Sequence, residues 1–173
     1  YDVSKIISVG GSSISERKYY KTISGASISS IINEKAIDDN SRIISGNVLT
    51  GDQVNLDGFL GFYHHQLSVI PEGNKHKFFL TDGWLSPGFN SFSASRAYPS
   101  WLMPKSKSYN LDTNLNGEER AFVVSGQYEK VFPFDIYPVQ LLKSIITNDI
   151  EKMESLGIYE VSPEDFALCE FVC

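Results

Sequence analysis

The sequence predicts an α+β protein in three parts, and three observations carry that prediction. Residues 1–60 set short β-branched and aromatic runs beside glycine turns and one stretch of helical spacing. Residues 61–130 mix β-prone runs with proline and glycine, which reads as a β-rich, irregular segment. Residues 131–173 turn helical, with a capping signal ahead of each apolar stretch.

In the first part, Lys5-Ile-Ile-Ser-Val9 reads as a strand and Gly10-Gly-Ser-Ser13 as a turn. Lys18-Tyr-Tyr-Lys-Thr-Ile23 is a second β-prone run, so the two make a hairpin. Ser27 is a good N-cap, with Ile28, Ile31 and Ile32 at helical spacing behind it. Asp38-Asp-Asn-Ser41 then breaks the helix before the strand Arg42-Ile-Ile44. Hairpin, helix, strand is the order of a β-grasp. In the second part, Tyr63-His-His-Gln-Leu-Ser-Val-Ile70 and His76-Lys-Phe-Phe-Leu80 are predicted strands, and Pro87, Pro99, Pro104 and Asn114-Leu-Asn-Gly117 punctuate the rest.

In the third part, Asp135 is placed to cap a helix with Pro138 in its first turn, where a missing N–H does little harm. Val139, Leu142, Ile145 and Ile146 form its expected inner face. A short helix over Asn148 to Leu156 closes at Gly157. Ser162-Pro163-Glu164-Asp165 starts a third: cap, Pro at the first position, acids against the dipole.

Composition excludes several classes. Fifteen Lys and Arg stand against 21 Asp and Glu, a formal charge of −6, which disfavours nucleic acid and anionic lipid. Apolar runs are far shorter than the roughly 20 residues that span a bilayer. The chain begins at Tyr1 without an initiator Met, so it is expected to be an excised segment of a longer protein. Two cysteines on one helix do not make a disulfide framework.

No complete catalytic constellation is present, and the catalytic assignment is none. Gly46-Asn-Val-Leu-Thr-Gly51 has the glycine spacing of a phosphate loop, but Asp52 and Gln53 follow where Lys and Ser or Thr belong. A glycine-flexed turn is the better account. His64 and His65, read inside a strand, point to opposite faces and do not readily share a metal. His76 returns beyond a turn, with no thiol or carboxylate cluster to complete a site. Cys169 and Cys173 fall one turn apart on a helix face, the spacing of half a zinc or iron–sulfur site that needs about four ligands. A pair of buried apolar thiols is the alternative. Trp84, Trp101, Phe89, Phe92, Tyr98 and Tyr109, interleaved with Arg96, Lys105 and Lys107, suit core or interface packing better than base stacking in so acidic a chain.

Several stretches together resemble the A subunit of the bacterial Na+-translocating NADH:quinone reductase. They are Gly25-Ala-Ser-Ile28, Arg42-Ile-Ile-Ser-Gly46, Val48-Leu-Thr-Gly51, Leu60-Gly-Phe-Tyr-His-His-Gln-Leu-Ser-Val69 and Glu72-Gly73. Gly126-Gln-Tyr-Glu-Lys-Val131, Pro133-Phe-Asp135, Asp165-Phe-Ala-Leu-Cys169 and Phe171-Val-Cys173 continue the match in order. The resemblance implies a C-terminal fragment: an SLBB (soluble-ligand-binding β-grasp) domain and the start of a helical region. It implies membership of a membrane complex that passes electrons from NADH to ubiquinone and pumps sodium. The A subunit is its peripheral member on the cytoplasmic face of the inner membrane, and a quinone-associated role has been proposed for it. The implied partners are the other subunits and ubiquinone, with no nucleic acid. No flavin or iron–sulfur cluster is implied for this fragment, which favours packing for Cys169 and Cys173. No quinone-contacting residue carries over. The rival readings are a free-standing small-ligand-binding β-grasp module and an iron–sulfur protein completed by flanking sequence.

Overall fold

The computed structural model describes residues 2–75, 77, 80, 86–93, 96, 98–114 and 121–172. His76, Trp84, Glu118, Glu119 and Cys173 lie outside the described residues, as does most of the strand expected at His76–Leu80. The chain divides into two compact units, residues 1–92 with 98–117 and residues 93–97 with 118–173.

Unit 1 is built on a mixed five-stranded sheet. The expected hairpin forms from β1 (Ser4–Gly10) and β2 (Lys18–Ile23), paired antiparallel with Ile6 opposite Lys21. Helix α1 (Ile28–Ile31) follows, then β3 (Ser41–Ser45), β4 (Asp52–Val54) and β5 (Gln66–Pro71). The sheet order is β2-β1-β5-β3-β4, with β1 and β5 parallel and the other pairs antiparallel.

Alternation along β1 decides which face is buried. Ile7 and Val9 point inward and are buried, whereas Ile6 points outward and is exposed. Ile28, Ile31 and Ile32 of the short helical turn meet Ile7, Val9, Ile43, Leu67 and Val69 in one apolar cluster. A four-residue helix is too short to hold by propensity alone, so this packing is what keeps it. Ser27 does flank α1 as expected, but its hydroxyl bonds Ser29 Oγ at 2.8 Å rather than a helix amide.

At the end of the sheet near the Asn40 turn, Arg42 grips Glu72. Arg42 Nε donates to Glu72 Oε2 at 3.0 Å and Nη2 to Oε1 at 2.5 Å. Thr113 Oγ1 donates to Glu72 Oε1 at 3.0 Å and accepts from Gly73 N at 2.6 Å, which ties residues 112–114 onto the turn after β5. Arg42 holds the Glu72 carboxyl below its ordinary value of 4.5, against a smaller opposing effect of burial. A depressed carboxylate stabilises the fold above its unfolded value, and that stability is lost as pH falls through the folded value. The expected result is that Glu72→Gln lowers stability at neutral pH by about 1–2 kcal/mol, the range of a partly screened charged hydrogen bond. Urea melts should show this gap closing as pH falls below 4.5. A gap that stays constant down to pH 3 would remove the ion pair from the account.

One expectation is corrected here. Tyr63, His64 and His65 are not in the strand, which starts at Gln66, because His64 N donates back to Gly61 O at 3.1 Å and closes a turn first. Within the segment expected to be β-rich over 61–130, the described residues include β5 and 3-10 turns at Pro99–Leu102 and Tyr128–Lys130.

Unit 2 holds α2 (Pro138–Ile146), α3 (Ile150–Ser155) and α4 (Ala167–Val172). Pro138 is the first residue of α2 as predicted, but Tyr137 occupies the cap position in place of Asp135. The buried face is also turned: Pro138, Val139, Leu141 and Ser144 are inside, and Ile145 and Ile146 are exposed. Asp149, one residue after the expected start, caps α3 by accepting from Lys152 N at 3.2 Å, and Gly157 closes it at φ +88°. Ser162 and Asp165 cap the last helical segment, with Ser162 N donating to Asp165 Oδ2 at 2.8 Å.

Candidate functional site

At the β3–β5 end of the sheet, two turns converge on one buried hydroxyl. Ser45 is the last residue of β3 and shares its inward face with Ile43. It is 1% exposed, so its hydroxyl must be satisfied within the protein. Gly61 N donates to Ser45 Oγ at 2.9 Å, and His64 Nδ1 lies 2.8 Å from the same oxygen. Because Oγ accepts from Gly61, its one proton is best directed to His64 Nδ1. In the neutral imidazole the ring proton then sits on Nε2.

Gly61 makes room for the ring, and Gly46 lies at ordinary contact distance on its other side. A Cβ on Gly61 would fall 2.5 Å from His64 Nδ1, and one on Gly46 would fall 3.4 Å from Nε2. Gly46 also takes φ +103°, which L side chains rarely adopt, and so turns the chain out of β3. Next to this node Ser68, buried on β5, donates to Gly46 O at 2.9 Å and accepts from Gln66 Nε2 at 2.9 Å. A shallow hollow of about 340 Å³ opens beside it, lined by Ser8, Gly46, Asn47, Tyr63, His64, His65 and Gln66.

The chemistry this arrangement permits is narrow. Ser45 is buried and engaged on both sides, so a substrate carbonyl has no path to its oxygen. The Ser–His pair fixes the 58–65 turn rather than attacking anything. His64 lines the hollow, and with Nδ1 taken by Ser45 its free ring nitrogen is the one left to donate to a carbonyl or carboxylate oxygen.

The glycine-flanked loop 46–51 resolves as a self-satisfied turn. Asn47 Oδ1 accepts from Leu49 N at 2.8 Å and Thr50 N at 2.9 Å, and Gly51 N donates to Asn47 O at 3.0 Å. The amides of Leu49, Thr50 and Gly51, which a phosphate would need, are already used. His64 and His65 come together in the hollow with no carboxylate or thiol cluster among the described residues. Cys169 is buried on α4 at 2% exposure, while Cys173 lies outside the described residues. Trp101 is exposed, and Phe92 meets Tyr109 edge-on at 5.8 Å. Sequence reasoning missed Ser45. Its signal was a serine at an inward-pointing strand position, since such a hydroxyl demands a buried partner.

The stretches that build this node, 42–51 and 60–69, also carry the family resemblance. A family model described as the NQRA C-terminal domain matches residues 6–55, from within β1 past β4. The A subunit of the Na(+)-translocating NADH-quinone reductase of Hahella chejuensis is 40% identical over 172 residues, 99% of this chain and 38% of its own length. The A subunits from Shewanella frigidimarina and Neisseria meningitidis are 37% and 38% identical, each over 170 residues, 98% of this chain and 37% of their own. The chain is similar to these A subunits over nearly its whole length, and residues 6–55 match the model of their C-terminal domain. It spans a little over a third of the length of these relatives. In the α+β architecture of this C-terminal domain, no helix among the described residues is long and apolar enough to cross a membrane.

Proposed function

We propose that this chain is a docking portion of the peripheral A subunit of a Na+-translocating NADH:ubiquinone reductase, at the cytoplasmic face of the bacterial inner membrane. Collinear identity of 37–40% with named A subunits over nearly the whole chain carries this reading. The sheet order, with parallel central strands and α1 on one face, supports reading unit 1 as the family's β-grasp. NADH and ubiquinone are used by the whole complex. The chain itself holds neither nicotinamide nor flavin and catalyses nothing alone; Ser45, buried and bonded on both sides, is no nucleophile. Cys169 is a packing thiol of unit 2, with no ligand role.

The test is purification of the full-length parent from gently solubilised membranes, with mass spectrometry of what accompanies it. Recovery of flavoprotein and multi-spanning partners with sodium-stimulated NADH:quinone reductase activity is the expected result. A clean protein without membrane partners would overturn it. NADH oxidation or flavin retention by the purified chain alone would sink the non-catalytic part.

A small-ligand-binding module is the second reading, favoured by one observation: His64 lines a hollow of about 340 Å³. On that reading a soluble quinone binds saturably in calorimetry and His64→Ala abolishes the heat. No saturable heat would leave docking as the only role.

A further inference from the structure

One end of unit 1 gathers large apolar side chains from four separate segments. Val3 precedes β1, Ile23 ends β2, Val48 tops the β3–β4 turn, and Phe59, Phe62 and Tyr63 come from the turn before β5. They are 55–85% exposed. Backbone and side-chain bonds hold the segments together: Ser24 N donates to Val3 O at 3.1 Å, and Lys5 Nζ to Phe62 O at 2.6 Å. Asn47, beside Val48, shares the His64 hollow with Tyr63. The opposite end is polar, carrying the Asn40–Asn74 amide pair and the Arg42–Glu72 ion pair. Tyr19, Trp101 and Leu102 are further exposed apolar side chains of unit 1, and the pole is set apart by bringing six together.

Resting on the reading of this chain as part of the reductase, we propose that this pole docks onto another subunit of that complex, at a surface with an apolar centre and a basic rim. Area is the first argument. Six large side chains at this exposure present several hundred Å², approaching the roughly 800 Å² per partner of a standard protein interface. Charge is the second. Exposed Asp2, Asp52 and Asp57 border the patch, against Lys21 and a Lys5 ammonium already turned to the Phe62 carbonyl. Two copies face to face would set this carboxylate rim against itself, and an anionic bilayer would meet the same repulsion. A basic-rimmed protein surface is complementary on both counts.

The experiment places a photo-crosslinking amino acid at Tyr63 or at Val48 of the full-length protein in the assembled, membrane-extracted complex. Cross-linked peptides from a different subunit, with Lys or Arg beside the joined residue, are the expected result. Cross-links confined to a second copy, to lipid, or to the rest of the same chain would overturn the proposal. Phe62→Asp together with Val48→Asp gives an independent readout. It should lower the protein's recovery with its partners at least tenfold while leaving its own thermal melt unchanged, and unchanged recovery would also overturn it. If the unaltered protein recovers no reductase partners at all, its reading as part of the reductase has itself failed, which is a separate result.

Discussion

Replacing Leu67 by Ala is expected to destabilise unit 1 by about 3 kcal/mol, as for leucines cut back in rigid cores. Leu67 is fully buried on β5, the central strand, which pairs with β1 on one side and β3 on the other. Its partners across the ladders are Val9 and Ser45, so the cavity would open between three strands held by backbone bonds. Such a site collapses poorly, which keeps the loss near the full transfer-plus-cavity value. With a urea slope of about 1–3 kcal/mol/M, the midpoint should fall by at least about 1 M. A shift under a few tenths of a molar would mean that α1 or the 58–65 turn refills the space.

How much of this was readable in advance depends on how local each signal is. The β1–β2 hairpin, Ser27 before α1, Gly157 after α3 and the Ser162–Asp165 cap rest on neighbouring residues, and each is where the sequence put it. The parallel pairing of Ser8 with Gln66 joins residues 58 positions apart, and nothing local encodes it. Helix α2 shows a different limit. Val139 is buried as its stripe predicted, but Pro138, Leu141 and Ser144 share the inner face in place of Ile145 and Ile146, a rotation that tertiary packing decides. The strand expected over Tyr63–Ile70 starts at Gln66, because Tyr63 favours a strand locally while His64 N closes a turn on Gly61 O. The candidate site was legible as a motif but not as a geometry. Its glycines were visible, whereas the Ser45–His64 bond spans 19 positions and two turns.

That bond supplies the second large effect. Gly61→Ala should lose about 2–3 kcal/mol, because one methyl group disturbs both partners of a buried hydroxyl. The new Cβ would stand 2.5 Å from His64 Nδ1, so the ring must swing away. Ser45 Oγ then loses its acceptor, and any adjustment of the 61 backbone to relieve the crowding also lengthens the Gly61 N–H bond to that oxygen. An orphaned hydroxyl at 1% exposure has no water to turn to, which is why the loss exceeds that of a surface turn substitution. Ser45→Ala in the same background separates the two contributions. If the orphaned hydroxyl dominates, adding Ser45→Ala to Gly61→Ala recovers part of the lost stability, although Ser45→Ala alone is destabilising. Strictly additive losses in that double-mutant cycle would instead assign the effect to steric displacement of the His64 turn, with the hydroxyl a bystander.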